Sequence, residues 1–423
     1  MIALLFICFF LFLIIGTPIY VILGVSSLIT LLFFGIAPLE IGVQRIVGGV
    51  DDITLSAIPF FILAANIMAT GGIANRLIDL ASVLVGHLRG GLGHSTVIAS
   101  MFFGAVSGSS PATVASVGKP LYPRLIKDNY PESFASGLIA CNAALGIIIP
   151  PSVTMIIYGA VTGASVGKLF LGGVGAGVFF GIIMMIFVYF KARKANIAKK
   201  EKPSFSIVLK TIGSSLWGLG VPVIILGGIY SGFFTPTEAA AVSVIYALIV
   251  TIFIYKEVTL KDIYVIFLDS VKVTAQVMII IGSAAIFSWV ITSSGFANDI
   301  TEYLTGISTS AIFIFIVINI MFLIGGMFLD GSSLILILGP ILVPIGLQVG
   351  IDPILLGVII TVNCAIGMYT PPFGLNIFVG SSIMNIPVSR ISKATIPFVF
   401  VSIIILILLM VFPPIITWLP NSL

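Results

Sequence analysis

Charge is what this 423-residue sequence has least of: 8% of its residues are Asp, Glu, Lys or Arg, against 59% hydrophobic. No stretch is both long and polar enough to fold as a separate water-soluble domain. Cysteines number three, and Cys8, Cys141 and Cys364 fit none of the paired spacings of a zinc site or disulfide framework. The two histidines, His87 and His94, share the segment HLRGGLGH, expected to be a surface loop, and no HExxH occurs. A hydrolase's acid–base or metal set is therefore missing, as are the intramembrane Lys, Glu or His of a proton pump, and an enzyme is not expected. A net charge of +4 does not suggest nucleic-acid binding. The N-terminal MIALLFICFFLFLIIGTP lacks a basic n-region and a cleavage site, so it is expected to stay as a membrane helix.

What the chain has instead is apolar length. A helix needs about 20 apolar residues to cross a bilayer, and many such runs are separated by short connections. The sequence predicts an all-α polytopic membrane protein. Residues 2–35 are interrupted at Gly16-Thr17-Pro18 and read as two short helices, with an amphipathic interfacial connector over 38–52 and a span over 53–70. Later spans are expected near 168–190, 215–230, 238–255, 270–292 and 394–413.

One pattern occurs twice. Gly104–Gly159 reads GAVSGSSPATVASVGKPLYP and, after a charged turn, CNAALGIIIPPSVTMIIYG; Gly326–Gly380 reads GMFLDGSSLILILGPILVP and NCAIGMYTPPFGLNIFVG. Pro123, Asn142, Gly146, Pro150-Pro151 and Gly159 each recur 221 residues later, and Gly108-Ser109-Ser110 recurs 223 later, which pairs Asp330 with Ser107. Each copy predicts a re-entrant helical hairpin, with tips near 107–111 and 330–333, followed by a helix unwound near 146–151 and 367–372. Residues 1–190 are then a first repeat, 191–214 a basic linker and 215–423 a second repeat. Five crossings per half make the repeats inverted in topology. With the linker cytoplasmic, every Lys and Arg of the 19 except Arg45 and Lys168 falls on the cytoplasmic side, and both termini lie outside.

Non-helical backbone at membrane depth is tolerated only where protein buries it or it lines a cavity. Four breaks converging near the midplane are the plan of a secondary transporter. Helix N-termini at the tips and after the Pro-Pro pairs would face an anion, and freed carbonyls with Ser and Thr hydroxyls would suit an alkali cation such as sodium. Asp330, an acidic residue at a tip, is expected to help hold a cation or gate the second hairpin, Ser107 and Ser152 to donate to a substrate carboxylate, and Asn142 and Asn363 to pin hairpin to helix. Glu238, in TPTEAAA, reads as a helix-start carboxylate.

GAVSGSSPATVASVG, NAALGIIIPPS, AIPFFILAANIMATGGI, GMFLDGSS and GMYTPPFGLN together resemble the large membrane subunit of tripartite ATP-independent periplasmic transporters, in the ion transporter superfamily, over nearly the whole chain. The resemblance implies scaffold and transport parts, an elevator motion, and import of a small carboxylate, such as a C4-dicarboxylate or sialic acid, coupled to inward sodium. It places sodium sites at Ser107, Ser109, Gly146 and Pro150 in one half and at Gly331, Gly367 and Thr370 in the other, and a substrate site at Ser107, Ser152 and Asp330. It implies two partners, a small four-helix membrane subunit on a separate polypeptide and a periplasmic substrate-binding protein, in a bacterial inner membrane. A stand-alone anion:sodium symporter of the same superfamily is the alternative.

Overall fold

The structure is a computed structural model that describes residues 1–35 and 37–422, with backbone alone at 260 and 305. Among the described residues the regular structure is entirely helical. Left-handed Gly16 and then Pro18, which has no N–H to donate, part α1 (Ile2–Ile15) from α2 (Ile19–Phe34). There follow α3 (Leu39–Gly48), α4 (Ala57–Thr70), α5 (Ile73–Val85), α6 (Gly91–Ser107), α7 (Ser110–Lys127), α8 (Glu132–Asn142), the single turn α9 (Leu145–Ile148), α10 (Val153–Thr162) and α11 (Val166–Lys194). A second series comprises α12 (Phe205–Tyr230), α13 (Pro236–Ile249, prolonged by a π turn Val250–Ile254), α14 (Leu260–Ser293) and α15 (Phe296–Ile307). It continues with α16 (Ala311–Gly326), α17 (Gly331–Gln348), α18 (Pro353–Gly367), α19 (Leu375–Met384), α20 (Val388–Val411) and α21 (Pro414–Ser422).

Among the described residues six helices are long and apolar enough to span a membrane, and two bent pairs, α4 with α5 at 72° and α8–α9 with α10 at 41°, pass the same test together, each as a broken span or a re-entrant loop. The chain is a multi-pass membrane protein.

The second series repeats the first in order, α14 standing for α3 plus α4 and α18 for α8 plus α9. Packing partners exchange accordingly. Helix α10 lies on α17 and α19 on α7, while α4 lies on α13 and α2 on α14.

Two sequence expectations are corrected, and two helices are added. The linker is residues 195–204, not 191–214, because Lys191, Arg193 and Lys194 complete the last turn of α11, where cations suit the helix dipole, and α12 already begins at Phe205. The span expected over 53–70 ends at Thr70, and left-handed Gly72 and Gly295, in Gly-Ile-Ala-Asn and Gly-Phe-Ala-Asn, then start two amphipathic helices, α5 and α15, where the sequence predicts no element. His94 is not a surface loop residue; it is buried in the first turns of α6, with Nε2 3.1 Å from the Arg89 carbonyl.

Candidate functional site

Helices α6 and α7 form the first hairpin. Its turn depends on Gly108, at φ +62, where an added Cβ would also lie 2.7 Å from the Pro151 carbonyl oxygen. Ser109 then caps α7 in extended geometry, its hydroxyl accepting from Ala112 N at 3.5 Å, with Pro111 in the first turn, where no intrahelical donor is lost. Ser107 is buried; its Oγ lies 3.3 Å from both the Ser109 carbonyl oxygen and Thr113 Oγ1.

The second hairpin, α16 and α17, closes differently. Asp330 is the N-cap: its carboxylate accepts from Ser332 N at 3.0 Å, from Ser333 N at 3.2 Å and from the Ser333 hydroxyl. Gly331 is already the first helical residue and does not adopt positive φ. Helices α7 and α17 both hold 18 residues and both start and stop 221 residues apart. Asp330 is therefore the structural counterpart of the cap Ser109, not of Ser107. The Gly-Ser-Ser match at an offset of 223 runs two residues out of the register that the fold uses.

Each broken helix comes against its hairpin by backbone contact. A Cβ on Gly104 would sit 2.9 Å from Gly146 Cα, and a Cβ on Gly326 3.1 Å from Gly367 Cα, so two glycine pairs do the same work in the two halves. A Cβ on Gly146 would also lie 2.8 Å from the Ser109 carbonyl oxygen and 2.4 Å from Thr113 Oγ1, which brings Ser107, Ser109 and Gly146 together. Gly146 belongs to the helical turn α9, and the unwound stretch is Ile149–Ser152, shorter than the sequence suggested. Pro150 lies in it, in cis linkage to Pro151, and Ser152 caps α10 by accepting from Met155 N at 3.3 Å. In the second half the break falls after Gly367, with Pro371–Pro372 again cis, and buried Thr370 donates to the Ile366 carbonyl at 2.6 Å.

The two halves then cross. Thr154, in the first turn of α10, lies against Gly331, where an added Cβ would be 3.3 Å from its side chain. Asn376, at the same helical position in α19, which starts 222 residues after α10, is fully buried and donates to Ser110 Oγ at 2.8 Å and to the Ala140 carbonyl at 2.9 Å. Ser110 and Gly331 are the first residues of α7 and α17, so each tip is met by the restarted helix of the other half. Ser107, Ser152 and Asp330 are thereby drawn into one region: Ser107 adjoins Gly108, which meets Pro151-Ser152, and Asp330 adjoins Gly331, which meets Thr154. Among the described residues no hydrogen bond joins the three.

The two asparagines behave unequally. Asn363 donates to the Asn319 carbonyl at 2.7 Å and to its Oδ1 at 2.9 Å, tying α18 to the hairpin arm α16. Asn142 donates to the Leu138 carbonyl of its own helix at 2.8 Å, and among the described residues no hydrogen bond from it reaches the first hairpin. The carboxamide oxygens of both are buried, without a donor among the described residues. Glu238 closes a capping box with Thr235 at the start of α13.

Sequence reasoning missed Thr113, Thr154 and Asn376. A repeat alignment by residue identity passes over them, since the first-half counterpart of Asn376 is a threonine.

Residues 6–415 match the family model described as the DctM component of the tripartite ATP-independent periplasmic transporter. The chain is 43% identical over 400 residues to the C4-dicarboxylate TRAP transporter large permease protein of Pseudomonas aeruginosa, covering 94% of this chain and 93% of that one. It is 35% identical over 406 residues to the sialic acid TRAP transporter large permease protein of Vibrio cholerae, covering 96% and 95%. Among solved structures, the YdaH transporter of Alcanivorax borkumensis superposes with a TM-score of 0.62 at 13% identity, over 89% of this chain and 88% of that one, a likeness of fold.

Proposed function

We propose that this chain, which belongs to the DctM family of tripartite ATP-independent periplasmic transporters, imports a small organic acid by moving its two hairpins and broken helices as one body past a fixed scaffold, driven by sodium. Its matched relatives are permeases, and the chain is a transporter component rather than an enzyme.

One observation carries the elevator reading. Helices α10 and α19 occupy equivalent places, ten residues each and starting 222 residues apart, yet Ile156 of α10 is fully buried while its counterpart Phe378 is 44% exposed, and buried Pro151 faces the same contrast with exposed Pro372. Helix α4 packs on α10, and α14 packs on α17 beside it. Elements related by an inverted repeat but covered unequally mark one end of a two-state motion; the other end covers α19 and bares α10. The moving part is then α6–α11 with α16–α21, and the scaffold is the remainder.

Sodium fits the chemistry of the residues present. Asn142 and Asn363 each hold a buried carboxamide oxygen without a donor among the described residues, one turn before Gly146 and Gly367 respectively. Ser107, Ser109, Gly146 and Pro150 would supply oxygen ligands beside the first tip, and Gly331, Gly367 and Thr370 beside the second. Asp330 holds the α17 N-terminus in shape, which keeps that site formed, while Ser107 and Ser152 donate to a substrate carboxylate. The family's tripartite description supports a small membrane subunit and a periplasmic binding protein as partners, and the substrates printed for the relatives, C4-dicarboxylate and sialic acid, support a carboxylate.

Orientation follows from charge. The ion pairs Arg76–Glu257, Arg124–Asp79, Lys200–Asp128 and Arg390–Glu132 gather at one end cations that the positive-inside rule assigns to the cytoplasm of an inner membrane, leaving both termini periplasmic.

Uptake into proteoliposomes holding this chain and its small partner tests the reading. Labelled dicarboxylates and sialic acid should accumulate only with the binding protein present and sodium higher outside. Uptake without the binding protein would replace this reading with a stand-alone symporter, and uptake indifferent to sodium would remove the sodium sites.

A further inference from the structure

At the end of the molecule where the linker emerges, residues of α8, α11 and α20 line a cavity of about 350 Å³ that brings three aromatic rings, Tyr130, Phe134 and Phe398, together with three lysines, Lys191, Lys194 and Lys393. Phe134 and Phe398 pack there with ring centroids 5.5 Å apart, and Tyr130 lies 6.1 Å from Phe134. Lys191 and Lys194 stand on the last turn of α11, and Lys393 on the first turns of α20. Among the described residues none of these three lysines forms an ion pair, whereas neighbouring Arg390 is paired with Glu132 at 3.4 Å. Burial raises the Tyr130 phenol to about 12, so that wall carries no negative charge.

Three lysines without an ion pair among the described residues line one small cavity, Lys191 with its ammonium also 5.4 Å from the Phe187 ring centroid, and together they attract an anion. An apolar track continues from the same opening: Lys393, Pro397, Phe400 and Ile404 lie on one stripe of α20, and Phe400 and Ile404 are 66% and 55% exposed. Lysine heads at an interface with aliphatic and aromatic surface running into the membrane match a phosphate headgroup with an acyl chain below it. A free phosphate would account for the lysines but not for the track.

We propose that the Lys191–Lys194–Lys393 cavity is a binding site for an anionic phospholipid of the leaflet on the linker side, its phosphate held by the three ammonium groups and one chain lying along Pro397, Phe400 and Ile404. Helices α8, α11 and α20 belong to the moving part of the proposed elevator, so the lipid would ride with it. The site itself rests only on the chain spanning a membrane, and its failure would leave the transport reading standing.

The test is thermal unfolding of the purified membrane complex in neutral detergent, titrated with phosphatidylglycerol, phosphatidylcholine or inorganic phosphate. Phosphatidylglycerol should raise the midpoint saturably, and K191Q/K194Q/K393Q should weaken its apparent affinity about a hundredfold, at roughly fivefold per lysine. The arginine triple K191R/K194R/K393R should keep it. K199Q/K202Q/K210Q, which removes equal charge from the linker and the start of α12, should bind as the unaltered protein does. Equal losses in both glutamine triples would overturn the site in favour of diffuse attraction. Equal stabilisation by phosphatidylcholine or by inorganic phosphate would overturn its assignment to an anionic lipid.

Discussion

Gly367→Ala should lower uptake at least tenfold and reduce the unfolding midpoint of the purified protein. The added Cβ would stand 2.5 Å from Gly326 Cα and 2.8 Å from its carbonyl oxygen, and both obstacles are backbone. Helix α18 must then part from α16, at a cost of about 1–3 kcal/mol for an overpacked core. The damage is local to function, since the Asn363–Asn319 bonds lie one turn away and the break in the helix begins at Gly367 itself. Gly227→Ala, in α12, meets no atom within 4 Å and serves as the matched control. It should transport normally. A Gly367→Ala protein with unaltered uptake would mean that the glycine contact is not needed to form the second site.

Asn376→Ala should also lose most activity, for a different reason. Its amide joins three elements, α19 to α7 through Ser110 and α19 to α8 through Ala140, all in a dry interior. Truncation leaves a hydroxyl and a carbonyl buried without partners, each worth about 1–3 kcal/mol. Because Ser110 opens α7, the loosened end is the first hairpin tip. A double-mutant cycle separates this from general destabilisation: Asn376→Ala and Ser110→Ala, measured singly and together by denaturant unfolding, should couple by about 0.5–3 kcal/mol. Additive effects would show that the cross-half bond contributes nothing.

Much of the fold was legible because the bilayer imposes few solutions. Apolar runs of membrane length, Pro18 between two of them and the doubled Pro-Pro pairs locate helices and their breaks with little help from tertiary structure. The amphipathic α5 and α15 were not read, because their half-polar faces fall below the hydropathy that marks a span; the Gly-x-Ala-Asn motifs that begin them are the signal. At the site, residue identity misled at one point. Two Gly-Ser-Ser triplets invite alignment, but a carboxylate can cap α17 directly while α7 needs a left-handed glycine and then a serine cap, so like residues sit two positions apart in the fold. Asn376 was invisible for a related reason. A lone amide in an apolar helix acquires meaning only when the partners 266 and 236 residues away are brought to it.

The central claim is that α10 and α19 exchange environments. In a Cys8→Ser background, cysteines placed singly at Ile156 and Phe378 can be challenged with a membrane-impermeant maleimide in proteoliposomes of defined orientation, since Cys141 and Cys364 are buried. Phe378→Cys should react from the linker side at rest and Ile156→Cys should be protected. With sodium, the small partner and loaded binding protein present, the reactivities should reverse, Ile156→Cys now labelling from the opposite side. If neither rate responds, or both rise together, the moving-body account is contradicted.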